Sequence, residues 1–97
     1  MPTYAWTARF RADFDRLTGA QQAAFLEAVE QFVADLSEGR RFRKGLRAKG
    51  VKGARGIFEM TWATDGRATF QYGEEVVPGG AYVIWRRIGT HGVFENP

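Results

Sequence analysis

The sequence predicts an α+β domain of two layers, an N-terminal helical hairpin packed on a mainly antiparallel sheet of three to four strands. Three observations carry this prediction. From Thr7 to Leu36, apolar residues recur at helical spacing in two segments separated by Thr18-Gly19. From Ile57 to Ile88, three runs have the marks of strands, and in the first two apolar and polar residues alternate. Between these regions, residues 40–55 follow neither period and carry eight of the fourteen basic residues with no acid. All 97 residues, without internal repeats, are expected to form one domain.

Taken in order, Thr3–Trp6 reads as a short edge strand with Tyr4 and Trp6 on one side. Thr7 is placed to cap a first helix whose stripe is Phe10, Phe14 and Leu17. Thr18 and Gln21 form a capping box for a second helix over about Ala20 to Leu36, and Gly39 is placed to end it. Its stripe of Phe25, Val29, Phe32, Val33 and Leu36 is expected to bury against Phe58, Met60, Trp62 and Phe70 of the sheet.

The first two strands are Ile57–Ala63 and Arg67–Tyr72. A three-residue loop, Thr64-Asp65-Gly66, sets Trp62 near Ala68, Met60 near Phe70 and Phe58 near Tyr72, with Gly66 in a left-handed conformation. Glu59, Thr61, Arg67, Thr69 and Gln71 then share one polar sheet face. The third strand, Tyr82–Ile88, is apolar on both faces until Arg86 and Arg87. Strand parity groups Arg87 with Val83 and Trp85, at the end of a partly buried row.

Composition narrows the chemistry. With no cysteine, disulfides and thiolate metal sites are excluded, and one histidine among scattered carboxylates makes no metal-ligand cluster. No cofactor motif of the P-loop type is present. No apolar run has the length of a membrane helix or a signal-peptide core, so a cytoplasmic protein without a membrane partner is expected. The net charge is +3, and its concentration in residues 40–55 is what points to a partner. Arg43, Lys44, Arg47, Lys49, Lys52 and Arg55 form a basic segment that Phe42, Leu46 and Val51 can pin to the core. A solvated loop or an acidic protein partner fits the same charges, while the length of the acid-free run favours a phosphate backbone.

His91 is the sole histidine and follows the third strand after Gly89-Thr90. A group titrating near neutrality beside guanidiniums suits RNA cleavage, in which a 2′-hydroxyl loses a proton and a crowded phosphate gains charge. Arg67 and Arg87 are candidates to hold that phosphate, and His91 and Glu59 to move protons.

The order of these pieces resembles the RelE/ParE superfamily of toxins from bacterial toxin–antitoxin systems over nearly the whole chain. The stretch Leu46…Lys49…Gly53…Gly56-Ile57-Phe58-Glu59 is like that family's lead-in to the sheet. Arg87-Ile88-Gly89-Thr90-His91…Val93-Phe94 is like its closing motif. The RelE-like resemblance implies a ribosome-dependent endoribonuclease, an mRNA interferase, that cuts without a metal or other cofactor. It also implies a cognate antitoxin as partner and contact with DNA only through that antitoxin. By position it implies catalytic roles for His91, Glu59, Arg67 and Arg87. Two alternatives stay open: a ParE-like toxin that inhibits gyrase, and a non-catalytic module that binds RNA or protein.

Overall fold

A computed structural model describes residues 2–39, 41–90, 96 and 97. Strand β1 (Thr3–Trp6) leads into helices α1 (Ala8–Asp15) and α2 (Gly19–Ser37). A 3₁₀ turn (Lys44–Leu46) and strands β2 (Lys49–Gly50), β3 (Phe58–Ala63), β4 (Gly66–Gly73) and β5 (Tyr82–Gly89) follow. The sheet order is β1-β5-β4-β3-β2, antiparallel except that β1 lies parallel to β5. The α+β two-layer class is as predicted. The sheet has five strands because two residues of the basic segment, Lys49 and Gly50, pair with Glu59 and Phe58.

Both helices begin where local chemistry directs. The Thr7 hydroxyl accepts from the Phe10 amide, and Thr18 and Gln21 complete a reciprocal capping box, each cap being worth about 1 kcal/mol. Past Ser37 the chain turns through Gly39 at φ 66°, a left-handed position that glycine occupies without a Cβ clash.

The helices cover the aromatic face of the sheet. Phe32 is almost fully buried, its ring 5.1 Å from Phe70 and 5.4 Å from Trp85, and Phe25 meets Trp85 edge-on at 5.4 Å. Met60 and Phe70 are buried beneath α2, while Phe58 and Trp62 are partly buried against them. Val29, Val33 and Leu36 are also only partly buried, because α1 and α2 leave between them a groove of about 550 Å³ floored by Val83 and Trp85. Phe42 stacks on Phe32 at 4.7 Å and Leu46 is buried, so the basic segment is pinned as expected.

The β3–β4 register differs from the expected one by two residues. Phe58 faces Phe70, Met60 faces Ala68, Thr61 faces Arg67 and Ala63 faces Gly66. The loop is Thr64-Asp65, and a bulge at Trp62 absorbs the odd residue. A shift of two preserves side-chain parity, so the separation of aromatic and polar faces survives. Gly66 is not left-handed. Its importance is steric, since a Cβ there would lie 2.5 Å from the Trp62 indole. Arg67 holds the turn, its Nη1 donating to the carbonyls of Gly66, Thr64 and Ala63 at 2.9, 3.4 and 3.4 Å.

A second bulge governs β5. Phe70 pairs with Trp85, but Thr69 pairs with Arg87, leaving Arg86 as the extra residue. Arg87 therefore does not continue the Val83–Trp85 row, as strand parity had implied. Ile88 takes the core position, buried opposite Ala68. Helix α1 caps the irregular stretch, with the Thr7 hydroxyl donating to the Arg86 carbonyl at 2.9 Å and Asp13 accepting from the Ile88 amide at 3.2 Å.

Candidate functional site

The sheet face opposite the helices carries the polar side chains. Pairing across β2, β3, β4 and β5 aligns Lys49, Glu59, Thr69 and Arg87 in one transverse row. Each step is one strand spacing, about 4.8 Å. Lys49 Nζ lies 4.0 Å from Glu59 Oε1, and the Glu59 side chain is only 11% exposed. Thr69 is fully buried at the centre of the row. A shielded carboxylate beside an ammonium, two strands from a guanidinium, has the constituents of proton transfer next to an anion.

The guanidiniums have different settings. Arg87 donates through Nε to Asp13 Oδ2 at 2.6 Å and through Nη2 to Asp13 Oδ1 at 3.3 Å, while its Nη1 donates to the Asn96 carbonyl at 3.0 Å. Its charge is thus neutralised from α1, and its plane is fixed by a two-point contact. Arg86 donates to the Gln71 side-chain oxygen and, at 2.9 Å, to the Pro97 backbone oxygen. Among the described residues no Asp or Glu side chain is paired with Arg86. Arg67 lies next along the sheet from Thr69, with Nη1 on the hairpin carbonyls. The structure thus brings Glu59 and Arg87 into one row and sets Arg67 beside it. His91 lies outside the described residues; the last described residue before it is Thr90, just past β5.

The basic segment is more than a charged loop. Asp35, buried on α2, accepts from the Arg43 backbone amide at 3.0 Å, from Nε at 2.9 Å and from Nη2 at 2.8 Å. Those side-chain hydrogen bonds hold the Arg43 guanidinium above its already high ordinary pKa. Arg47 closes the 3₁₀ turn in a left-handed conformation, φ 48°. Lys44, Arg47, Lys52 and Arg55 stand exposed, and Lys49 links the segment to the row through β2. Arg40 lies outside the described residues.

Sequence reasoning did not assign the two carboxylates that orient this surface. Asp35 stands three residues after the buried Phe32, and an acid on the apolar stripe of a helix must be buried with a partner. Asp13 lies beside Phe14 on the flank of the α1 stripe in the same way. Among the described residues there is no cluster of three His, Cys, Asp or Glu able to hold a metal ion. Nor, among them, is any helix long and apolar enough to cross a membrane.

Comparison with solved structures finds this architecture elsewhere. A toxin from Helicobacter pylori matches with a TM-score of 0.66 at 15% identity, over 95% of this chain and 97% of that one. YafQ in the DinJ–YafQ toxin–antitoxin complex from E. coli matches with 0.64 at 10% identity, over 95% and 94%. A YoeB/ParE toxin from Agrobacterium tumefaciens matches with 0.64 at 12% identity, over 92% and 98%. The fold is that of RelE/ParE-type toxins of toxin–antitoxin systems. No protein-family model and no curated protein matches the sequence.

Proposed function

We propose that this chain is the toxin of a toxin–antitoxin pair and acts as a ribosome-dependent endoribonuclease that cuts mRNA and inhibits translation. The observation that supports this best is the Lys49–Glu59–Thr69–Arg87 row, set on the fold that YafQ and YoeB/ParE toxins share. In this reading Glu59 takes the 2′-hydroxyl proton, and Lys49, 4.0 Å away, orients the carboxylate. Arg87, aligned by Asp13, faces the charge that builds on the phosphate. His91 supplies the proton to the leaving 5′-oxygen. Arg67 supports the hairpin that carries β3 and β4. Arg43 holds the basic segment to α2, and Lys44, Arg47, Lys49, Lys52 and Arg55 take the backbone of mRNA or ribosomal RNA.

A cognate antitoxin belongs to the same proposal, supported by the DinJ–YafQ and RelB–RelE complexes among the similar structures. Contact with DNA would pass through that antitoxin, and the working compartment would be the cytoplasm. The test is purified protein added to translating ribosomes, with cleavage mapped by primer extension. Cleaved mRNA is expected, slowed about 10²–10⁴-fold by Glu59→Gln or His91→Ala, the usual worth of a general acid or base. Intact mRNA with inhibited gyrase supercoiling would overturn this reading in favour of a ParE-like one.

A further inference from the structure

The indole of Trp62 lies flat on the chain's own backbone. A Cβ on Gly66 would stand 2.5, 2.6 and 2.8 Å from Trp62 Cε2, Cδ2 and Cζ2. Near-equal distances to three contiguous ring atoms put Gly66 against the face of the ring, not at its edge. Gly66 shares strand parity with the core residues Ala68 and Phe70, so that face rests on the helix side of the sheet. Trp62 Nε1 is buried and, among the described residues, has no acceptor, so the glycine beneath the ring sets its plane and a hydrogen bond does not. The other face of the ring turns toward a cleft of about 560 Å³ between α2 and the 3₁₀ turn. Ala24 and Ala28 leave the α2 wall room, and Glu27 and Gln31, four residues apart on one helix face, line it with a carboxylate and an amide. Arg47 stands exposed on the opposite wall at φ 48°, a left-handed conformation uncommon for a residue with a Cβ.

We propose that this cleft binds a nucleobase stacked on Trp62, guanine in preference to adenine, with the attached phosphate on Arg47. The cleft lies on the helix side of the sheet, and the Lys49–Glu59–Thr69–Arg87 row lies on the other. The site therefore goes beyond the nuclease reading and does not depend on it.

The chemistry of the walls selects this ligand. Every base has a π-face, and an aromatic ring already fixed in its plane is a stacking platform that needs no reorganisation. The Glu27 carboxylate accepts two N–H donors side by side, which the Watson–Crick edge of guanine presents and that of adenine does not. Arg47, with Lys44 exposed at the start of the same turn, makes the mouth cationic. That charge repels an arginine side chain, the other common planar group that stacks on indoles, and attracts a phosphate. Gln31 offers both a donor and an acceptor to the remaining base edge. The same group can arrive on a free guanine nucleotide or within a single-stranded RNA.

The test uses the full chain without ribosomes. The ¹⁵N-labelled protein is titrated separately with guanosine monophosphate, adenosine monophosphate, ribose 5-phosphate and a short single-stranded RNA containing guanosine. The indole N–H signals of the three tryptophans are followed by NMR, that of Trp62 being the one lost in Trp62→Leu. Saturable shifts of the Trp62 indole and the Gln31 side-chain amide are expected with guanosine monophosphate and with the RNA, and not with ribose 5-phosphate. Both outcomes of the affinity comparison keep the site: tighter binding of the RNA gives it to a strand, and equal affinity gives it to the free nucleotide. Trp62→Leu, its fold checked by far-UV circular dichroism, should weaken guanosine monophosphate about tenfold, the usual worth of one stacked base. Glu27→Gln, an exposed change on α2, should remove a preference for guanine over adenine of roughly tenfold. No saturable shift with either guanine ligand, equal shifts with ribose 5-phosphate, or a Trp62→Leu protein that binds as the wild type does would each overturn the site. Cleavage of ribosomal mRNA is not read in this experiment, so the nuclease assignment can fail while the cleft stands, and the reverse.

Discussion

Removing the Asp13 carboxylate tests how α1 and β5 are joined. Asp13 accepts three hydrogen bonds, from Arg87 Nε at 2.6 Å, from Arg87 Nη2 at 3.3 Å and from the Ile88 amide at 3.2 Å. The two side chains are 10% and 17% exposed, so neither charge is well solvated. Asp13→Ala leaves a guanidinium largely shielded and uncompensated, and strips the Ile88 amide of its partner. Breaking a buried pair from one side costs about 3–5 kcal/mol, and an orphaned buried amide belongs to the same loss. With a urea m-value of about 2 kcal/mol/M, the unfolding midpoint should fall by about 2 M. Asp13→Asn should fall between, because its amide oxygen can still accept from one donor. The double variant Asp13→Ala/Arg87→Ala should be less damaged than the two single losses summed, since the stranded charge is gone. Urea melts followed by far-UV circular dichroism measure the wild type and the four variants, Arg87→Ala included. An Asp13→Ala loss below about 1 kcal/mol, the value of an exposed pair, would refute the argument that this contact is desolvated.

Gly66→Ala places a Cβ 2.5 Å from the Trp62 indole and should destabilise by about 1–3 kcal/mol, with Trp62→Leu restoring part of the loss; thermal melts of the two single variants and the double decide it. Burial raises the Tyr72 phenol above its ordinary pKa of about 10, so the folded chain keeps a proton that the unfolded chain releases. Stability from this group is full below pH 10 or so and falls as pH rises past it; Tyr72→Phe should flatten that fall in urea melts between pH 9 and 11, and an unchanged slope would contradict it. Replacing Lys49, Lys52 and Arg55 together by Glu should abolish ribosome association while leaving far-UV circular dichroism unchanged, and wild-type affinity should fall steeply with salt in sedimentation assays.

The parts legible in the sequence were those written in local chemistry. Thr7, Thr18 and Gln21 announced both helix starts, and the alternation from Phe58 to Tyr72 separated the two sheet faces. What escaped was counting. The hairpin register slipped by two because Arg67 satisfies the turn carbonyls and Trp62 closes over Gly66, contacts that no loop-length rule contains. The two-residue β2 is too short to show a period and exists only because β3 offers an edge. The β5 bulge did leave a mark. Trp85 and Ile88 are both buried yet three residues apart, a spacing that an unbroken strand cannot turn to one face. The partners of Arg43 and Arg87 were hidden for another reason: Asp35 and Asp13 meet them only after α2 has packed and β5 has been laid beside α1.

The parallel pairing of β1 with β5 sets a timetable for the chain's synthesis. Thr3 pairs with Tyr82 and Trp6 with Trp85, so the first strand to leave the ribosome waits for the last before it has a neighbour. The helices can form early from local contacts, but closing a loop of this length is entropically slow, and β1 gains nothing until it closes. Arg86 and Arg87 also arrive with that final strand and are aligned only by α1. The basic segment is therefore synthesised before the strand that completes the polar row. The sheet is thus complete only once β5 has been laid between β1 and β4.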